Sequence, residues 1–425
     1  MAVSASRLAQ ELEADVLERF LRYVTVDTQA VYDSATYPSS PRQLDLIRQL
    51  ADELRELGLE DVEVTEHGYL FATLPAVEAD GAPTLGLIAH VDTSPDAPGA
   101  NVKPQVWQGY DGGELRLPGN PAQVLSPDTS SLLGERVGHD LVTSDGTTLL
   151  GADDKAGIAE IMAAVAYLAA HPELERPRVR IAFTVDEEIG HGTDHFDLER
   201  YGADFAYTLD GQVVGEIENE TFSAIALTVV FNGRGVHPGT AKGKLVNAVK
   251  LAADFVSSLP KDRLSPETTE GREGFVHPGR MEAGGEHATV HVIARDFEWE
   301  GLEEHVALVE RLAQETVARV AGASVDVTQA VQYRNIRDAL AQHPRVVEAA
   351  EEAARRVGLE PTRGAIRGGT DGSRLTELGL PTPNVYTGGN EYHSVREWIS
   401  VQDLAVSAAT VVELVRLWAE PLWRA

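Results

Sequence analysis

The sequence predicts an α/β protein: a mixed central sheet covered by helices on both faces, with an inserted smaller α+β sandwich domain. Three observations support this. Apolar strand-like runs ending in histidine or acids alternate with helical periods through the first 215 residues. The texture changes after Gly215 and returns from Pro344. The chain of 425 residues, 43% of them hydrophobic, is too long for one small domain and apolar enough for a sizeable core.

Leu12–Tyr23 and Arg42–Leu57 have helical period, the second stopping at Gly58 as a C-cap does. VEVTEHG and YLFATLP read as short strands around His67-Gly68. PTLGLIAHVDTSP, an apolar run ending in polar residues, suits a buried central strand. Asp96–Gly146, rich in glycine and proline, is expected to decorate the surface. TLLGADDKAG leads into a helix over Ile158–Ala170, after which RVRIAFTVDEEIGHG and ADFAYTLDG repeat the pattern of strand then acids. In the middle region SAIALTVVFNGRGVHPG is a strand and turn, Leu245–Ser258 a helix and ATVHVIARD a strand. Leu302–Val320 is a second helix and SVDVTQAVQY a third strand, giving a βαβαβ-like unit. The chain closes with helix Arg345–Val357, the turn-rich RGAIRGGTDGS, strand TPNVYTG and helix Val401–Trp418. The expected organisation is a main domain in two parts, 1–215 and 331–425, around an insert at 216–330.

Lys and Arg number 36 against 67 Asp and Glu, a formal charge of −31. Such a chain repels phosphate backbones and no basic patch interrupts the excess, so no nucleic-acid partner is expected. The absence of cysteine rules out disulfides, thiol nucleophiles and cysteine-based metal sites, leaving His, Asp and Glu for any metal. The first twenty residues carry acids where a secretory signal needs an apolar stretch. No run reaches the roughly 18 uncharged apolar residues of a membrane span; the richest, LAVSAATVVELVRLWAEPLW, is broken by Glu413 and Arg416. A cytoplasmic protein without a membrane partner is expected.

Histidine and acids recur at strand ends. His90 and Asp92 lie two apart, so on a strand they share a face and the carboxylate can fix the imidazole's tautomer. A polar loop after a buried strand is the other reading. Asp153 and Asp154 sit in GADDKAG before a helix, either as ligands or as a capped helix start. Glu187 and Glu188 close an apolar strand, where one acid can bind metal and the other take a proton from water. With Asp186 they also make a run of three acids that could simply be solvated. Asp210 follows AYTL in the same posture, and His393 lies in the glycine-rich GGNEYHS. Together these donors suit zinc, cobalt or manganese. Three carboxylates, Asp153, Glu188 and Asp210, would balance two dications with a bridging hydroxide better than one.

Read together, these segments resemble the peptidase T branch of the M20 di-zinc metallopeptidases, the tripeptide aminopeptidases. The resemblance is carried in order by HVDTSP, LLGADDKAGIAEI, FTVDEEIGHG, TLDG, GRGVHPGTAKGKLVNA, ARDF, IRGGTDGSRLTELGLPTPN and EYHS. It implies a sheet of zinc-peptidase type and a split catalytic domain, with the insert as lid or dimerisation domain. His90 and Asp210 would hold one Zn2+, Glu188 and His393 the other, with Asp153 bridging and Co2+ or Mn2+ as substitutes. Asp92 would orient His90, and Glu187 would be the general base for attack by a metal-bridging hydroxide. His237 would bind or polarise the scissile carbonyl, although taken alone it could equally cap the turn before Pro238. Arg295 and Arg367 would contact the substrate carboxylate and shape its pocket, although one arginine can as easily neutralise a surface acid. The partner implied is a short peptide, with a homodimer through the insert. A related M20-type dipeptidase, carboxypeptidase or N-acyl-amino-acid deacylase shares the same metal core and stands as the alternative.

Overall fold

A computed structural model of the chain describes residues 6–424. They form two compact units: one runs up to Asn219, over Asp338–Gly364 and from Thr370 onward; the other comprises Glu220–Arg337 and Ala365–Gly369.

The first unit is built on an eight-stranded mixed sheet. Its order is Glu60–Val64, Leu70–Leu74, Val179–Thr184, Leu85–His90, Phe205–Gly211, Asn384–Tyr386, Glu216–Thr221 and Thr362–Ile366. The four central strands, Val179–Thr184 to Asn384–Tyr386, run parallel, with antiparallel neighbours on either side. Every position of Leu85–His90 and Val179–Thr184 is buried. Because successive side chains point to opposite faces, unbroken burial means that both faces are covered.

The cover is helical. Arg7–Tyr23 starts at Ser6, whose hydroxyl accepts the Ala9 amide, and buries Leu12, Val16 and Phe20 at helical spacing. It packs with Ala152–Ala170 and Val401–Leu417, while Gln43–Glu56 lies against Glu60–Val64 and Leu70–Leu74. Ala152–Ala170 is buried on nearly all sides, which its many alanines permit, and it rests on Leu85–His90 and Phe205–Gly211. Closest approach falls at Gly157, where a Cβ would overlap the Leu209 carbonyl oxygen.

Asp96–Gly146 does more than decorate the surface. Its strands Gln105–Trp107 and Leu141–Thr143 pair with each other, and the latter pairs with Trp398–Ser400. Tyr110, Leu117, Leu125, Leu133, Leu141 and Trp398 form a separate buried cluster. Strands of two or three residues carry no alternation to read, so composition alone suggested a plain surface loop.

The second unit is a four-stranded antiparallel sheet ordered Phe275–Ala283, His287–Asp296, Ser223–Asn232 and Ser324–Tyr333. Along Ser223–Asn232 burial alternates, so one face packs. Leu227, Val229 and Phe231 join Phe255 of helix Ala248–Ser258 and Leu302 and Val309 of helix Trp299–Ala318 in one core. The chain order is β-α-β-β-α-β, one strand more than the expected βαβαβ unit. The added strand, Phe275–Ala283, contains Pro278 and Gly279, shifts register between Pro278 and Arg280 and is mostly exposed. Proline and glycine are strand-breaking signals that hid it. No helix among the described residues is long and apolar enough to cross a membrane.

Candidate active site

Parallel strands deliver their C-terminal ends to one edge of the sheet, and the histidine and acids gather there. His90 ends Leu85–His90, Asp210 lies near the end of Phe205–Gly211, and Glu187 and Glu188 form a short 3-10 turn after Val179–Thr184. Asp153 opens the Ala152–Ala170 helix with non-helical backbone angles, and its peptide bond to Asp154 is cis. His393 comes from the loop between strands Gly389–Asn390 and Trp398–Ser400.

Asp153 stands between the two imidazoles. Its Oδ1 lies 3.0 Å from His90 Nε2, and its Oδ2 lies 3.3 Å from His393 Nε2. On the first side, Asp210 Oδ1 is 3.8 Å and Glu187 Oε2 4.0 Å from His90 Nε2. On the other, Glu188 Oε2 is 2.8 Å from His393 Nε2. Candidate ligand atoms of His90, Asp153 and Glu188 lie within 4.8 Å of one another, and so do those of His90, Asp154 and Asp210. In that second set Asp154 is the weaker donor, because both its oxygens are engaged by backbone. Its Oδ2 accepts the His90 amide at 3.1 Å, and Oδ1 accepts the Gly157 amide at 3.2 Å.

Asp92 is fully buried, and its chain has curled out of the strand. His90 Nδ1 lies 3.1 Å from the Asp92 carbonyl oxygen and 3.4 Å from its carboxylate. The carboxylate accepts the amides of Glu187 and Glu188, both at 3.1 Å. Asp186, flanking the acid pair, is buried rather than solvated. It adopts a left-handed backbone with φ 61°, and its carboxylate accepts the Ser39 amide and the Gln43 side chain, both at 2.6 Å.

Three contributors escaped the sequence reading. Asp96 Oδ2 lies 3.2 Å from His393 Nδ1. Asn384 accepts the Asp210 amide at 3.1 Å and donates to Glu218 at 2.6 Å. Glu397, in the segment just after His393, accepts three amides of the Asp153 turn. These pairs are separated by 166 to 297 residues, and no spacing announces them.

The other three expected site residues belong to the second unit. His237 is exposed and its Nδ1 accepts the Gly239 amide at 3.1 Å. Arg295 has a buried Nε without a hydrogen-bond partner and lies over the Phe275 ring. Arg367 donates to the carbonyls of Gly271 at 2.9 Å and Glu273 at 2.8 Å, and to the Thr269 hydroxyl at 2.9 Å.

Burial raises the proton affinity of the acids: Glu187 lies well above the usual range, Glu188 is pushed up to about 8 and Asp210 to about 6. Burial opposes protonation of the imidazoles, but the surrounding carboxylates prevail. Asp153, Asp210 and Asp92 raise His90, and Asp153 and Glu188 raise His393 to about 12. Asp153, despite burial, is held below the carboxylate range by His393 and His90. Acids so crowded gain from a nearby cation, which offsets their mutual repulsion. The set of imidazoles and carboxylates, with Glu188 Oε1 buried and lacking a hydrogen-bond partner, fits divalent metal ions.

A mixed sheet whose parallel strands converge on such donors defines a metal-dependent hydrolase. The chain belongs to peptidase family M20/M25/M40, which matches residues 142–417. It is 46% identical over 409 residues to Peptidase T of an Exiguobacterium species, covering 96% of this chain and 99% of the relative. It is 47% identical over 405 residues to Peptidase T of Vibrio parahaemolyticus, covering 95% and 98%. It is also similar to the crystal structure of aminopeptidase PepT from Bacillus cereus, with TM-score 0.72 and 28% identity over 96% of this chain and 99% of that one.

Proposed function

We propose that the chain is an aminopeptidase that releases the N-terminal residue of tripeptides, with two Zn2+ ions for which Co2+ or Mn2+ can substitute. One observation carries the reading: Asp153 presents one oxygen to each histidine. His90 with Asp210 would hold one ion and His393 with Glu188 the other, with Asp153 contributing to both. Identity of 46% and 47% to relatives called Peptidase T supports the substrate class.

The ions supply Lewis acidity, lowering the pKa of the attacking water and stabilising negative charge on the carbonyl oxygen. The side chains do the rest. Glu187 takes a proton from the water on Oε2 and returns it to the leaving amine nitrogen as the peptide C–N bond breaks. Its raised proton affinity suits the second half of that task. Asp92 fixes the His90 ring and the turn that carries Glu187.

His237, from its own or a partner subunit, polarises the scissile carbonyl. Arg295 takes the substrate carboxylate, a role its unpartnered Nε supports. Arg367 shapes the pocket by holding the 269–273 loop. The domains in this reading are a split catalytic domain, 1–215 and 331–425, and an insert at 216–330 that acts as lid and joins a homodimer. Action on short peptides in the cytoplasm places the enzyme in peptide catabolism.

The test is a cleavage panel of di-, tri- and tetrapeptides, free and N-acetylated, assayed after metal loading. Free tripeptides should be the best substrates and acetylation should abolish cleavage. A requirement for the acetyl group would instead make the chain a deacylase.

A further inference from the structure

Glu397 is 1% exposed and sits four residues after His393. Its Oε2 accepts the Leu150 amide at 2.8 Å and the Gly151 amide at 2.7 Å, and its Oε1 accepts the Asp153 amide at 3.0 Å. These amides lie where the chain enters the Ala152–Ala170 helix without regular geometry. Gly151 is left-handed at φ 83° and offers no capping side chain, and Asp153 has φ −83° and ψ 100°. The first amides of a helix need acceptors from outside it, and here a carboxylate 244 positions away in sequence provides them.

The segment carrying Glu397 is itself fixed. Gly389–Asn390 and Trp398–Ser400 pair antiparallel, closing the loop that contains His393. Trp398, the next residue, is fully buried in the Tyr110–Leu141 cluster, and its indole nitrogen donates to Ser130 at 3.1 Å. One anchored segment thus carries both His393 and the acceptor that holds the Asp153 backbone.

We infer that Glu397 is a positioning residue of the metal centre, setting Asp153 against His393 so that one carboxylate can face both imidazoles. The inference rests on the proposed dinuclear centre and adds a residue that touches neither substrate nor ion. Glu397→Gln has the same shape but presents N–H donors where one or two amides need an acceptor.

The experiment measures wild type and Glu397→Gln side by side, by metal competition against a chelator and by steady-state kinetics. The variant should bind metal about 10- to 100-fold more weakly. When saturated with Zn2+ it should show a kcat lower by about the same factor, with KM nearly unchanged. Glu397→Asp, which keeps the charge, should recover part of both losses. A purely structural role would lower thermal stability but leave the metal affinity and kcat of the folded variant at wild-type values, and that result overturns the inference. If neither variant folds, amide hydrogen exchange of the wild type decides. The Gly151 and Asp153 amides should exchange as slowly as those of the central strands in metal-free and loaded protein, and fast exchange in the metal-free form overturns the inference. Wild type that neither binds metal nor cleaves peptides would instead refute the dinuclear reading itself.

Discussion

The Asp92 carboxylate accepts the Glu187 backbone amide at 3.1 Å, and its second oxygen accepts the neighbouring Glu188 amide. The Asp92 carbonyl meanwhile meets His90 Nδ1. One buried residue therefore contacts both an imidazole and the turn bearing the acid pair. Its effect on chemistry is indirect, which makes its removal informative.

Asp92→Ala should lower metal affinity by about 10- to 100-fold and weaken turnover, with partial loss of metal. Asp92→Asn, which keeps one acceptor oxygen, should be milder. Metal analysis after dialysis, beside the rate of tripeptide cleavage, checks both.

Glu187→Gln should reduce turnover by about 10²- to 10⁴-fold while leaving metal content intact, because the amide cannot carry the proton. Loss of metal in this variant would make Glu187 a ligand and require a different base.

Metal binding should release protons and tighten as pH rises. His393 is held up to about 12 and Glu188 up to about 8. Both values lie above neutrality, so an incoming cation competes with protons, and that competition weakens with increasing pH. Calorimetric titrations at pH 6 and pH 8, in buffers of different ionisation enthalpy, give the number of protons released and the change in affinity. Affinity independent of pH would contradict competition between protons and cations for these donors.

Gly157→Ala tests the contact between helix and sheet. The new Cβ would overlap the Leu209 carbonyl and crowd Asp154 Oδ1. Backbone atoms cannot swing aside, so the cost should be about 1–3 kcal/mol or more. The shift should also displace the adjacent Asp210. Thermal denaturation and metal affinity should fall together.

In the second unit, Phe231 is fully buried and packs its ring 5.4 Å from that of Phe255. Phe231→Ala should cost about 3–5 kcal/mol in that unit. Denaturant unfolding followed by probes placed in each unit should show the loss confined to the second.

Residues whose chemistry is local were the legible ones. His90, Asp153, Glu188, Asp210 and His393 stand out because each interrupts or follows an apolar strand or a glycine-rich turn, and the fold brings them within a few ångströms. Glu397, Asp96 and Asn384 were not legible, since their significance lies in reaching backbone or side chains from distant parts of the chain. The same reason separates the readable central strands, with six consecutive buried residues in Leu85–His90, from the hidden Phe275–Ala283. Long apolar runs declare burial from sequence alone. An edge strand interrupted by Pro278 and Gly279 is specified by its partner instead.

Counting ions tests the central claim most directly. Metal-free protein titrated with Zn2+ should bind two equivalents, His393→Ala and His90→Ala should each lose one, and Asp153→Asn should weaken both. A single equivalent in the wild type with full tripeptidase activity, or activity with no metal bound, would contradict the shared role of Asp153 and the account built on it.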